Sequence, residues 1–135
     1  MASEPRVELK QIKAEQDRIS GQWRIVWALK NLSRQPLRLT SVRFPHQLFK
    51  SGENTFEPPI DLNENGEIEF EQLIQCEGGP GLVTENAFAM FYATWLGAPW
   101  RIFVRLKVVV NADRNPQATT ELITVQKAGF SGVES

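Results

Sequence analysis

The sequence is short of the residues on which most site chemistry rests. Its 135 residues hold one cysteine, Cys76, one histidine, His46, and one tyrosine, Tyr92. A lone cysteine excludes an intramolecular disulfide framework, and no Cys/His spacing resembles a zinc site. The fold must stand on packing, for which a chain of this length suffices. Neither charge is in excess: 15 Lys and Arg against 16 Asp and Glu give a net charge of −1. That is too weak a global field for a dedicated nucleic-acid binder, although it leaves room for a local basic patch. Long apolar runs are missing, so nothing reads as a membrane span. The opening Met1-Ala2-Ser3-Glu4-Pro5-Arg6 leads into no run of signal-peptide length, which sets the expectation of a cytoplasmic protein. Asn31-Leu32-Ser33 fits the glycosylation pattern, relevant only in a secretory pathway. Internal repeats, low-complexity segments and sustained helical periodicity are absent too.

What the chain does have is alternation. From Pro99 to Val110, Trp100, Ile102, Val104, Leu106, Val108 and Val110 fall on one side. Arg101, Phe103, Arg105 and Lys107 fall on the other, the period of two that marks a half-buried strand. Trp23, Ile25, Trp27 and Leu29 repeat the pattern, and two tryptophans on one face imply a thick core. Val7, Leu9 and Ile12 suggest a first strand with a bulge near Lys10, followed by a polar loop over 14–18. Leu37, Leu39, Val42 and Phe44 form a third strand whose phase changes near Thr40-Ser41.

Pro45 to Pro59 reads as an irregular crossover, since proline donates no ladder hydrogen bond. Ile60-Asp61-Leu62 and Glu67 to Gln75, joined through Asn65-Gly66, read as a hairpin with Ile68 and Phe70 inward. Phe88 to Leu96 pairs with the strand after Pro99 through Gly97-Ala98-Pro99. A two-residue turn there opposes Trp95 with Trp100 and turns Ala89, Phe91 and Ala93 inward; a three-residue loop opposes Leu96 with Trp100 and turns Phe88, Met90 and Tyr92 inward. Thr119 to Gln126 supplies the last strand. The expectation is one domain over 1–135, ordered from about residue 6 to 128 with a loose tail over 129–135. Its fold class is all-β, an antiparallel immunoglobulin-like β-sandwich of seven to eight strands.

The succession Trp23-x-x-x-Trp27-x-Leu29-x-Asn31-x-Ser33-x-x-Pro36-Leu37 resembles the second strand, loop and third strand of bacterial immunoglobulin-like domains. The resemblance covers about 15 residues and concerns the fold alone; the antibody-type cysteine pair is missing. It implies a binding, spacer or assembly module.

Four constellations carry potential chemistry. Cys76 and His46 form a nucleophile and base only if folding joins them, and Cys76-Glu77-Gly78-Gly79-Pro80-Gly81 lacks the lysine of a phosphate-cradling loop. Glu67, Glu69 and Glu71 alternate on one strand, the pattern of a solvated face. Asp61, Asn63 and Asn65 with Gly66 match the first half of a calcium loop, but Gln72 stands where its bidentate glutamate belongs. Calcium would be the only cofactor, held weakly. The face of Arg101, Phe103, Arg105 and Lys107 interleaves guanidinium groups with an aromatic ring. With no catalytic constellation, the expectation is a non-enzymatic module. It binds a protein partner or a second copy through that face, in preference to nucleic acid or membrane; a calcium or small-ligand binder and an enzyme are the alternatives.

Overall fold

The computed structural model describes residues 4–128; the tail over 129–135 lies outside the described residues. Eight strands account for most of the chain: β1 (Val7–Gln16), β2 (Trp23–Asn31), β3 (Leu37–His46), β4 (Phe49–Leu62), β5 (Glu67–Cys76), β6 (Val83–Trp95), β7 (Ala98–Val110) and β8 (Pro116–Lys127). All neighbours are antiparallel, in the order β1-β2-β5-β4-β3-β6-β7-β8. Among the described residues there is no helix to cross a membrane.

The all-β antiparallel class is as expected, and the strands form one nearly closed, barrel-like sheet. A three-strand ladder (β1-β2-β5) meets a five-strand ladder (β4-β3-β6-β7-β8) through only two residue pairs, Phe49 with Cys76 and Lys50 with Gln75. Beyond them Gln72 bridges the gap: its Nε2 donates to Ser51 Oγ at 2.8 Å and its Oε1 accepts from Asn54 Nδ2 at 3.0 Å. At the other seam no β1–β8 ladder forms, and Gln11 stands in for one. Its Nε2 donates to the Pro116 carbonyl at 2.9 Å and its Oε1 accepts from the Ala118 N–H at 2.8 Å, while Thr120 Oγ1 donates to the Leu9 carbonyl at 2.9 Å. A side-chain amide offers the same donor and acceptor as a peptide group, so Gln11 satisfies a strand edge that would otherwise stay open, and Gln72 does so for the Gly52 carbonyl at 3.2 Å.

The alternating faces turn inward as their sequence requires. Trp23, Trp27, Val104 and Leu106 belong to one buried cluster, together with Phe44, Phe49, Phe91 and the alanines of β6. Ala87, Ala89 and Ala93 make room for the bulky residues opposite, Ala93 facing Trp100 and Ala89 facing Val104. Small against large across a pair is how a core of fixed thickness fills without voids.

Several local expectations change. The bulge of β1 falls at Ile12 instead of Lys10, and the strand runs on through Gln16 because Ala14, Glu15 and Gln16 pair with Ile25, Arg24 and Trp23. The segment expected as a crossover is β4, a strand of 14 residues. Its prolines are tolerated because β3 pairs with Thr55 through Ser41 and with Ile60 through Leu39, leaving Phe56 to Pro59 out of the ladder. The expected hairpin around Asn65-Gly66 is instead an arch between ladders: at this end Leu62 pairs with Leu37 of β3 and Glu67 with Lys30 of β2. The inward face given by the two-residue turn, Ala89, Phe91 and Ala93, is the buried one, but neither expected pairing of Trp100 forms and a third register takes their place. Trp95 pairs with Ala98 across Leu96-Gly97, both with positive φ (52° and 74°), the geometry of a two-residue hairpin turn. In such a turn the next pair, Thr94 and Pro99, exchanges no hydrogen bonds, so the missing proline N–H costs the hairpin nothing.

Candidate functional site: the outer face of β6, β7 and β8

Register assembles the candidate site. Across the three strands, Phe88 lies opposite Arg105, Met90 opposite Phe103 and Tyr92 opposite Arg101, with Leu122 and Thr124 beside Arg105 and Phe103 on the other flank. Trp100, Ile102, Val104, Leu106, Val108 and Val110 are buried, so the alternate residues of β7 face away from the core. Arg105 is exposed, and Arg101, Phe103 and Lys107 are half-buried by one another's neighbours.

Two bulges shape the centre of this face. In β6, Glu85 and Asn86 lie between the pairs Thr84–Val108 and Ala87–Leu106, so two residues oppose Lys107 alone. In β8, Glu121 is inserted between the partners of Arg105 and Leu106. Bulges bend a strand and re-aim side chains, which is why they recur beside binding sites. Between them opens a groove of about 430 Å³ lined by Asn86, Phe88, Phe103, Arg105, Leu122 and Thr124. Its floor is aromatic: the Phe88 and Phe103 rings sit 6.2 Å apart between centroids, tilted by 50°. Leu122 stays 47% exposed, an aliphatic side chain left in water at the rim.

Among the described residues, no carboxylate lies within 4.0 Å of Arg101, Arg105 or Lys107. Arg101 places its guanidinium 5.7 Å from the centre of the Tyr92 ring, a cation–π contact across to β6, while its Nε is buried without an acceptor. Sequence patterning finds the β7 residues of the site. The two-residue-turn reading also sets Phe88 on this face, whereas Leu122, Thr124 and Asn86 escape it, because their place beside Arg105 depends on a register and two bulges that alternation does not encode.

The other candidates come out differently. Asp61 is tied to its cross-strand neighbour Arg38 by two hydrogen bonds, 2.7 Å from Nε and 3.2 Å from the terminal nitrogen. The hydrogen bond from that guanidinium holds the Asp61 carboxyl below its ordinary range. The Asn63 carbonyl accepts from the Gly66 N–H at 2.8 Å, and Asn65 donates its backbone N–H to the Asn31 carbonyl at 2.8 Å. The Asp61 carboxylate is thus held by β3, while Asn63 and Asn65 are tied in through their backbones. No group of three or more His, Cys, Asp and Glu among the described residues is placed to hold a metal ion.

His46 and Cys76 both pair with Phe49, from opposite sides. That sets them two strand spacings apart, about 10 Å, with a phenylalanine between them. Nδ1 of His46 accepts from the Leu48 N–H at 3.1 Å, and burial raises the Cys76 thiol pKa, away from the reactive thiolate. Asn31 is fully buried with its amide in use, so the folded chain presents no acceptor there for a glycan.

Comparison with known protein families, with curated proteins and with solved structures returned no match to this chain.

Proposed function

We propose that this chain is a non-enzymatic interaction module, an immunoglobulin-like domain that binds a protein surface through the outer face of β6, β7 and β8. The ladder order supports the fold half of this reading. Strands β1-β2-β5 against β4-β3-β6-β7 follow the order of the two immunoglobulin sheets, A-B-E and C′-C-F-G, with β8 added beyond G. The observation that carries the binding half is the groove: aromatic and aliphatic side chains beside cations that no carboxylate among the described residues neutralises, on a face the core does not use. Aromatic residues and arginine together are the composition enriched at interface centres. The complementary partner carries carboxylates among apolar side chains; with a net charge of −1, a protein suits this face better than a polyphosphate. The cytoplasm is the proposed compartment.

The test is a selection of random peptides on the wild-type chain. We expect the enriched peptides to place Asp or Glu beside Leu, Phe or Trp, and to bind Arg105→Glu at least about tenfold more weakly, since like charges juxtaposed at an interface are costly. Selection that enriches nothing, or peptides that bind both chains equally, would overturn the reading.

A further inference from the structure

We propose that the partner of this face is a second copy of the same chain, presenting the glutamate row of its β5. The inference rests on the reading of the face as a binding surface and adds the occupant. Arg101, Arg105 and Lys107 project from alternate positions of β7, with Phe103 filling the remaining place. Glu67, Glu69 and Glu71 project from alternate positions of β5, all exposed. Both rows therefore repeat every 6 to 7 Å, roughly two residues of extended chain, with opposite sign.

The glutamate row is also only partly neutralised within its own chain. Glu71 meets Arg24 at 3.3 Å, whereas among the described residues no ion pair engages Glu67 or Glu69. Beside the row on β5 stands Leu73, 44% exposed. The row thus offers what the groove lacks, carboxylates next to an apolar side chain.

Strand order decides how two copies meet. In the nearly closed sequence of eight strands, β5 and β7 are four places apart and so lie across the molecule from each other. Their outer faces point in opposite directions, and one chain cannot neutralise itself. Face-to-face pairing through β7 alone would set cations against cations. Head-to-tail stacking sets cations against carboxylates at every contact, and a heterologous contact of this kind repeats into rows or rings.

The experiment is the weight-average mass of the purified full-length chain, by light scattering over a concentration series, from about 0.01 M to about 1 M salt. Across that range the screening length falls from about 30 Å to about 3 Å. Wild type should rise above the monomer mass of 15.3 kDa at low salt and return to it at high salt. Arg105→Glu and Glu69→Arg should each weaken association at least about tenfold, and the chain carrying both reversals should regain it. Lys107→Glu with Glu67→Arg repeats the cycle should either first variant fail to fold. A wild type that stays monomeric throughout overturns the proposal, while the peptide selection, which needs no self-association, judges the binding face by itself. Assembly lost in Arg105→Glu but kept in Glu69→Arg also overturns it, because the face is then used by an occupant other than β5. Assembly unchanged in both variants overturns it as well.

Discussion

Trp27→Ala should remove about 3 to 5 kcal/mol of folding free energy, the range for deleting a large aromatic side chain from a packed core. Trp27 is fully buried at the middle of β2. Its ring stacks on Phe44 of β3 at 5.2 Å and 26°, and meets Phe49 of β4 edge-on at 6.2 Å and 85°. Phe44 and Phe49 close the triangle at 5.9 Å. One side chain therefore holds the three-strand ladder against the five-strand ladder at the end where β4 and β5 make their two-pair junction. A typical domain is stable by only about 5 to 15 kcal/mol, so the variant should lie near its unfolding midpoint at modest urea. The indole N–H has no acceptor, so Trp27→Phe keeps a ring without losing a hydrogen bond and should cost clearly less. Equal losses for the two variants, or a loss under about 1 kcal/mol for alanine, would place the weight of the core elsewhere.

The second large effect is expected at a polar residue. Asn31 is fully buried, and its Nδ2 donates to the Leu62 carbonyl at 2.9 Å and the Gln35 carbonyl at 3.0 Å. Its Oδ1 accepts from the Ser33 N–H at 2.9 Å, and its backbone N–H donates to the Gly66 carbonyl at 2.9 Å. The amide thereby ties the β2–β3 loop to the arch between β4 and β5, across the open end of the barrel. Alanine would leave two carbonyls and one N–H short of partners, each costing about 1 to 3 kcal/mol where water cannot enter. Allowing for partial solvation at the loop, a total loss of about 2 to 4 kcal/mol is expected by urea unfolding. Asn31→Asp keeps the volume but points oxygens at both carbonyls, so it should lose at least as much at neutral pH. A loss under about 0.5 kcal/mol in either variant would mean that the arch is held by other contacts.

These two residues also mark where sequence reading succeeds and where it stops. Trp23, Ile25, Trp27 and Leu29, like the even positions from Trp100 to Val110, reveal their faces because alternation against a core is a one-dimensional signal. Asn31 and Ser33, part of the motif that carries the resemblance, bond to each other, and Asn31 to Gln35 nearby, but the remaining partners of their side chains lie 27 to 32 positions away in sequence. Pairing is not local either. Asn65-Gly66 has hairpin chemistry, yet β4 and β5 part there to join different ladders, a choice made by which neighbours bury Leu62 and Ile68. Leu96 in a positive-φ turn position contradicts residue preference, and that single placement fixes the register that brings Phe88 to Arg105. The prolines of β4 mislead for a related reason: a strand is tolerant of proline wherever its ladder lapses, and the lapse is a property of β3 as much as of β4.

Both the binding reading and the self-association built on it require that the outer face of β7 is not needed for folding. The most direct measurement is the urea-unfolding free energy of Arg105→Glu beside wild type. An exposed residue without a side-chain hydrogen bond or ion pair among the described residues should change stability by about 0.5 kcal/mol or less when its charge is reversed. That is the predicted result. A loss of about 2 kcal/mol or more, or a chain that does not fold, would contradict it, because Arg105 would then belong to the interactions that hold the sheet together and not to a surface kept for a partner.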